Sequence, residues 1–77
     1  MKIKLNNVRQ IKISGEYIRL DSLLKFANIV MSGGEAKTII ANGDVYLNGV
    51  PEIQRGKKIR PGDVVRFGNE TVKIAGK

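Results

Sequence analysis

The sequence predicts a small α+β fold in which two packed helices are followed by β-hairpins, while short N-terminal strands complete a small sheet. Three observations predict it: apolar residues alternate at period two near the N-terminus, recur at helical spacing from Leu20, and return to period two after Gly43. The 77 residues suffice for one modest hydrophobic core. We therefore predict a single domain, residues 1–77, whose function lies on its surface.

The N-terminal strands are predicted from alternation. Ile3 and Leu5 lie beside lysines, and Ile11 and Ile13 flank a further lysine, which is the pattern of a half-buried strand. Residues 6–7 are both Asn, a residue type that is depleted in strands. The pattern therefore predicts two short strands with a break between them.

The first helix is predicted to begin at Leu20. At about 100° per residue, five apolar side chains fall on one stripe, as in an amphipathic helix. The residues of this stripe are Leu20, Leu23, Leu24, Ala27 and Met31.

The second helix is predicted from its start signal. Ser32 and Glu35 have the spacing of a capping box, in which each side chain accepts a hydrogen bond from the backbone near the other. Asn42 and Gly43 tolerate the left-handed conformation that is common after a helix. These signals predict a helix of about ten residues.

Two hairpins are predicted after the helices. Asn48-Gly49 is a strong signal for a two-residue hairpin turn, and Pro51 indicates an edge or irregular strand because proline cannot donate to a sheet ladder. Residues 61–63 form a predicted turn, after which residues 64–67 and 71–74 alternate as the two arms of a hairpin.

The charge balance favours a polyanionic partner. Fourteen Lys and Arg stand against seven Asp and Glu, giving a formal net charge of +7. The chain has no Cys and no His, which removes disulfides and the commonest metal ligands, and its carboxylates are scattered singly. We therefore predict a protein that is not an enzyme and that has no cofactor.

No stretch of the sequence resembles a signal peptide or a membrane span, since no apolar run is long enough. The sequence therefore predicts a cytoplasmic protein without a membrane partner.

The basic segment, defined as residues 54–60, is the sharpest local feature. It contains four cations and no carboxylate, so it can neutralise several phosphates together, although a solvated loop explains such a run equally well. Arg19, Lys25 and Lys37 lie beside the helix stripes, and packing of the helices would collect them into a basic groove. The cations of the segment are Arg55, Lys57, Lys58 and Arg60.

Two interpretations remain open for Ser32, Gly33 and Gly34. The backbone N–H groups of such a helix start can bind a phosphate without obstruction from side chains. Alternatively, the serine serves only as a helix cap, with Glu35 in the same turn opposing an anion.

The four aromatic residues are too scattered to predict a stacking platform for nucleic-acid bases. We expect Tyr46 to face outward and the other three, Tyr17, Phe26 and Phe67, to lie in or at the edge of the core.

The order of these elements resembles the S4 RNA-binding domain, which contains the αL motif. The resemblance covers residues 17–67. The matching positions are Arg19-Leu20-Asp21, Leu24, Ser32, Ala36, Ile39-Ile40, Gly43, Val45, Leu47-Asn48-Gly49 and Gly62-Asp63-Val64-Val65. Residues 24–27 and 32–36 look most like the small stand-alone bacterial S4 proteins of the YaaA/YbcJ-like group.

The S4 resemblance implies that RNA lies along the helix-pair face with the basic segment beside it. Arg19, Lys25 and Lys37 stand where the family's helix-face contacts are expected. The sequence differs from the family at Gly33, where S4 domains commonly carry Arg. The family occurs in a small-subunit ribosomal protein, in pseudouridine synthases, in a tyrosyl-tRNA synthetase and in ribosome-associated quality-control factors. The resemblance therefore implies structured rRNA or tRNA as ligand and a ribosome-associated or ribosome-assembly role.

Two other functions fit the charge. A protein-interaction adaptor could dock an acidic partner on the basic face, and DNA binding is compatible with +7 although no major-groove reading helix is recognisable. We expect a monomer.

Overall fold

The computed structural model describes residues 7–77, so the strand predicted around Ile3 and Leu5 lies outside the described residues. The helices and strands follow in the order β1 (Asn7–Ile13), β2 (Ile18–Arg19), α1 (Leu20–Phe26), α2 (Gly33–Ala41), β3 (Val45–Leu47), β4 (Val50–Pro51), β5 (Lys58–Ile59), β6 (Val64–Phe67) and β7 (Glu70–Gly76).

The strands form a five-stranded sheet in the order β1-β7-β6-β3-β4 and a two-stranded sheet of β2 and β5. β1 runs parallel to β7, from the pair Asn7–Glu70 to the pair Ile13–Gly76. The alternation around Ile11 correctly predicted a strand. Asn7, however, which was placed in a break, is the first residue of that strand.

Helix α1 is shorter than its apolar stripe suggests. Asn28 has a left-handed φ of 59°, which ends the helical path. Ala27 is still buried beyond the helix end, and its carbonyl accepts a hydrogen bond of 2.6 Å from Nη2 of Arg9. Met31 was predicted on the buried stripe, but it is 83% exposed in the connection to α2. The prediction for Met31 was wrong.

The predicted capping box of α2 is present. Oγ of Ser32 accepts a hydrogen bond from the Glu35 N–H at 3.2 Å, and the Glu35 carboxylate accepts one from the Met31 N–H. The carboxylate thus reaches one residue further back than in the usual box. The helix ends before Gly43, whose φ of 79° is the left-handed conformation predicted there.

The hairpin signals were also correct. Asn48 and Gly49 have φ values of 52° and 88°, as a two-residue turn of type I′ requires. Pro51 lies in β4 at the edge of the sheet, where its missing N–H costs no ladder hydrogen bond. The last turn consists of Gly68 and Asn69, since Glu70 already belongs to β7.

The core lies between the helix pair and one face of the five-stranded sheet. Leu20, Leu23 and Leu24 of α1 are fully buried, as are Ala36 of α2 and Ile59 of β5. Buried residues recur at helical spacing in the helices and at every second position in β7, which are the two periods on which the fold prediction rested. In the part of the chain whose burial is described, the remaining buried residues are Ile13, Ala27, Val30, Ile40, Val45, Val65, Val72 and Ile74.

Candidate nucleic-acid interface

The basic segment is held against the start of α1. In the two-stranded sheet, Arg19 pairs with Lys58. The N–H of Leu20 donates to the carbonyl of Lys57 at 2.9 Å, and the N–H of Asp21 donates to the carbonyl of Arg55 at 3.1 Å. These bonds satisfy N–H groups that a helix start leaves unpaired. The segment is therefore a fixed extension of the helix surface, and part of it is a strand.

Arg19 joins the helix to the basic segment. Its Nε and Nη2 donate to the two carboxylate oxygens of Asp21 at 3.1 and 3.0 Å. Its guanidinium also lies against Gly56, where an added Cβ would be 3.7 Å from Nη2. The Arg19 side chain is 55% exposed, whereas that of Asp21 is 19% exposed. The guanidinium therefore remains open to solvent on the side away from Asp21, where a phosphate can reach it.

The four cations of the basic segment are exposed, and none of them forms an ion pair within residues 7–77. Nζ of Lys58 lies 5.0 Å from the ring centroid of Tyr17. The N–H of Arg60 donates to the Asp63 carboxylate, which fixes the end of the segment and leaves the Arg60 guanidinium in solvent. The segment thus presents uncompensated positive charge.

Lys25 and Lys37 are exposed on α1 and α2, which pack against each other. Over the described part of the chain, no hydrogen bond or ion pair links either lysine to the basic segment. The structure therefore brings Arg19, but not these two lysines, into direct contact with residues 54–60.

Ser32, Gly33 and Gly34 are exposed at the start of α2. The Ser32 oxygen already accepts the Glu35 N–H, so its capping role is accounted for. An added Cβ at Gly33 would meet no atom within 4 Å, so space in front of this turn is open. A phosphate contact at these residues stays a prediction.

The aromatic residues are more exposed than predicted. Phe26 is 64% exposed and Tyr17 is 44% exposed, so placing them at the core was wrong. Phe67 and Tyr46 are both half-buried. Arg66 covers the Tyr46 ring, with its Cζ 4.3 Å from the ring centroid. The sequence did contain a signal for the exposure of Phe26, because helical spacing places this residue well away from the apolar stripe of Leu20 and Leu24.

Open depressions on the described surface include a cleft beside α1 and a groove beside α2. A cleft of about 250 Å³ lies between the end of β1, the start of β2 and the end of α1, and Lys12, Tyr17 and Phe26 line it. A groove of about 500 Å³ lies between α2 and the half-buried Phe67. Across residues 7–77, no cluster of three carboxylates could hold a metal ion, and no helix is long and apolar enough to cross a bilayer.

Sequence comparison relates the chain to a known family. A family model described as the S4 domain matches residues 11–75. A Bacillus subtilis (strain 168) protein named "Probable ribosome maturation protein RlbA" is 42% identical over 57 residues, which is 74% of this chain and 80% of that protein.

The fold is shared by several solved structures, including one from E. coli and one from Vibrio cholerae. The solution structure of YbcJ from E. coli, described as revealing an αL motif involved in RNA-binding, superposes with a TM-score of 0.70 and 29% identity over 97% of this chain and 96% of YbcJ. The trimeric structure of Vibrio cholerae Heat Shock Protein 15 gives a TM-score of 0.63 at 24% identity over 70% of this chain. This chain spans about half, 54%, of that protein. The predicted S4-like α+β fold is confirmed.

Proposed function

The chain belongs to the S4 domain family, and from that premise we propose that it binds folded RNA through one basic surface. The observation that carries the proposal is the β2–β5 ladder, which fixes the basic segment beside Arg19 at the start of α1. We define the basic surface as Arg19, Lys25, Lys37, Arg55, Lys57, Lys58 and Arg60.

The physical basis is release of counterions. Each exposed cation that meets a phosphate releases ions condensed on the RNA, and several cations on a fixed scaffold act together. Structured RNA is recognised mainly by shape and by backbone contacts, which suits a surface of Lys and Arg without a stacking platform on its strands. The first turn of α2, residues 32–34, adds the backbone N–H groups of a helix start. An added Cβ at Gly33 would meet no atom within 4 Å, so one further phosphate has room to approach this turn.

The RNA we propose is ribosomal RNA or tRNA, and the process is ribosome maturation in the cytoplasm. The B. subtilis relative carries a ribosome maturation name, and YbcJ is described by its RNA-binding motif. We propose a binding role without catalysis, because the described carboxylates have structural partners or lie apart. Asp21 holds Arg19, Glu35 closes the capping box and Asp63 accepts the Arg60 N–H.

The test is a binding titration against a ribosomal RNA hairpin at several salt concentrations. Neutralising about four to six phosphates would make log K fall with log salt at a slope of roughly −3 to −5. A salt-independent affinity, or no binding at micromolar protein and low salt, would refute the proposal.

An adaptor for an acidic protein would give a different result. If the protein is such an adaptor, unlabelled RNA will not displace the acidic partner from it. If the protein binds RNA, a low concentration of RNA will displace the acidic partner. The same samples, examined by light scattering, test the predicted monomer, which matters because the V. cholerae relative is described as trimeric.

A further inference from the structure

We infer that the cleft lined by Phe26, Tyr17 and Lys12 binds one unpaired nucleobase of the RNA. The inference rests on the proposed function and adds a ligand class to it: RNA in which an unpaired base adjoins a folded helix. Bases that are free to leave a stack are commonly held on aromatic side chains, because every base offers a π-face.

The first support is the exposure of two aromatic side chains in one place. Phe26, the last residue of α1, is 64% exposed, and Tyr17, which precedes β2, is 44% exposed. Single exposed apolar residues are normal on protein surfaces. Here both aromatic residues line the same open cleft of about 250 Å³, so two exposed aromatic side chains meet at one depression.

The second support is the charge around the rings. Lys12 lines the cleft, and Nζ of Lys58 lies 5.0 Å from the Tyr17 centroid. No carboxylate lines the cleft in the described part of the chain, and the nearby Glu16 is exposed in the adjoining loop. A nucleotide carries both an aromatic base and a phosphate, so it matches this pairing of rings with cations better than an apolar protein segment does.

The third support is continuity with the basic surface. Lys58 belongs both to the basic segment and to the contact with Tyr17, and Lys25 precedes Phe26 on α1. RNA that follows the basic surface therefore passes the cleft. Lys58 lies over the Tyr17 ring. We therefore expect the nucleobase to stack on Phe26, the more exposed of the two rings, with Tyr17 as a wall at the side of the cleft.

The experiment compares two RNA hairpins that differ by one nucleotide. One hairpin is fully paired, and the other carries 2-aminopurine as a single-base bulge, whose fluorescence falls when the base stacks. We expect the bulged hairpin to bind on the order of tenfold more tightly, with quenching on binding. Phe26→Ala should remove both the preference and the quenching and leave the affinity for the paired hairpin unchanged.

The control variants separate stacking from other causes. Phe26→Leu retains apolar volume without a π-face and should also lose the quenching, and Tyr17→Leu tests the wall independently. Met31→Ala removes another exposed apolar side chain, 83% exposed and not lining the cleft, and should behave like the parent. Circular dichroism checks that each variant is folded.

The contrary outcomes are distinct. If the parent binds both hairpins equally, the inference fails while the proposed function stands; if it binds neither at low salt, both fail. If Phe26→Ala keeps the preference but changes the molecular mass in solution, the cleft is a surface for self-association, and the inference is wrong.

Discussion

The side chain of Asn48 connects the β3–β4 turn to Asp63. Its Nδ2 donates to Oδ1 of Asp63 at 3.1 Å, and its Oδ1 accepts the N–H of Val64 at 2.9 Å. The N–H of Asn48 donates in turn to the Val64 carbonyl at 2.8 Å. In a regular ladder the Val64 N–H would donate to the backbone carbonyl of residue 48, and here the side-chain amide oxygen of Asn48 accepts that hydrogen bond instead. Asn48 both permits the turn, with its φ of 52°, and extends the pairing of β3 with β6.

Replacing Asn48 with Gly should lower the free energy of unfolding by about 1–2 kcal/mol, because two hydrogen bonds are lost while the left-handed conformation stays accessible. Urea unfolding measures the change. Asn28→Gly is the matched control, since Asn28 also has a left-handed φ, of 59°, but its side chain makes no hydrogen bond within residues 7–77. Its stability should stay within about 0.5 kcal/mol of the parent. Equal losses in the two variants would show that the side-chain bonds of Asn48 contribute nothing.

The elements that sequence predicted well are those set by residues a few positions apart. The Ser32–Glu35 cap and the Asn48-Gly49 turn depend on local backbone geometry, so residue type and spacing determine them. The same reasoning failed at Met31. A stripe at helical spacing cannot show where the chain leaves the helix, and here the left-handed Asn28 ends the path before Met31 is reached.

The elements that sequence could not supply depend on distant residues. The parallel pairing of β1 with β7 joins the two ends of the described chain, and the β2–β5 ladder joins Arg19 to Lys58. Neither pairing can be recognised from residues that are neighbours in the sequence, because each joins segments that are far apart along the chain. The composition of the basic segment predicted its exposure, and the S4 resemblance implied its position beside the helix pair. The backbone hydrogen bonds that attach it to α1 and the cleft beside Phe26 could not be predicted from the sequence.

Ser32→Ala should lower the free energy of unfolding by about 0.5–2 kcal/mol, because the N-terminal N–H groups of α2 lose their side-chain acceptor. Thermal melts give the measurement. Ser22→Ala is the control, because Ser22 lies within α1 and its hydroxyl makes no hydrogen bond in the described structure, so alanine should be neutral or slightly favourable. If Ser32→Ala melts with the parent but binds RNA more weakly, the serine is a ligand contact.

Removing two cations from the basic surface should weaken binding to all RNAs alike and flatten the salt slope by roughly 0.7–0.9 unit per lost phosphate contact. We expect this for Arg55→Ala/Lys57→Ala and for Lys25→Ala/Lys37→Ala. Folding should change by less than about 0.5 kcal/mol, since all four side chains are exposed. Titration of one hairpin across salt concentrations measures the slope.

The control for these pairs is Lys73→Ala/Lys77→Ala, which removes the same charge from exposed positions in and after β7. It should keep most of the parent's affinity and slope. Were it to weaken binding as much as the other pairs, net charge rather than a defined surface would explain the affinity.

Gly33→Arg should strengthen RNA binding. S4 domains commonly carry Arg at this position, and a Cβ added at Gly33 meets no atom within 4 Å. The φ of Gly33 is not positive, so the backbone of the first turn of α2 accepts a side chain without strain. The new guanidinium would lie at the start of α2, where it can reach a phosphate on the helix-pair face. One added contact should steepen the salt slope by roughly 0.7–0.9 unit.

The comparison variant is Asn69→Arg, which adds the same charge at the exposed β6–β7 turn, outside the basic surface. Non-specific attraction would raise the affinity of both variants equally, whereas a contact at the helix start raises that of Gly33→Arg alone. The free energy of unfolding should not fall, because Arg is a better helix former than Gly. Binding of both variants to the same RNA hairpin at two salt concentrations decides the matter. A Gly33→Arg variant that folds like the parent but gains no affinity would mean that RNA does not approach the start of α2.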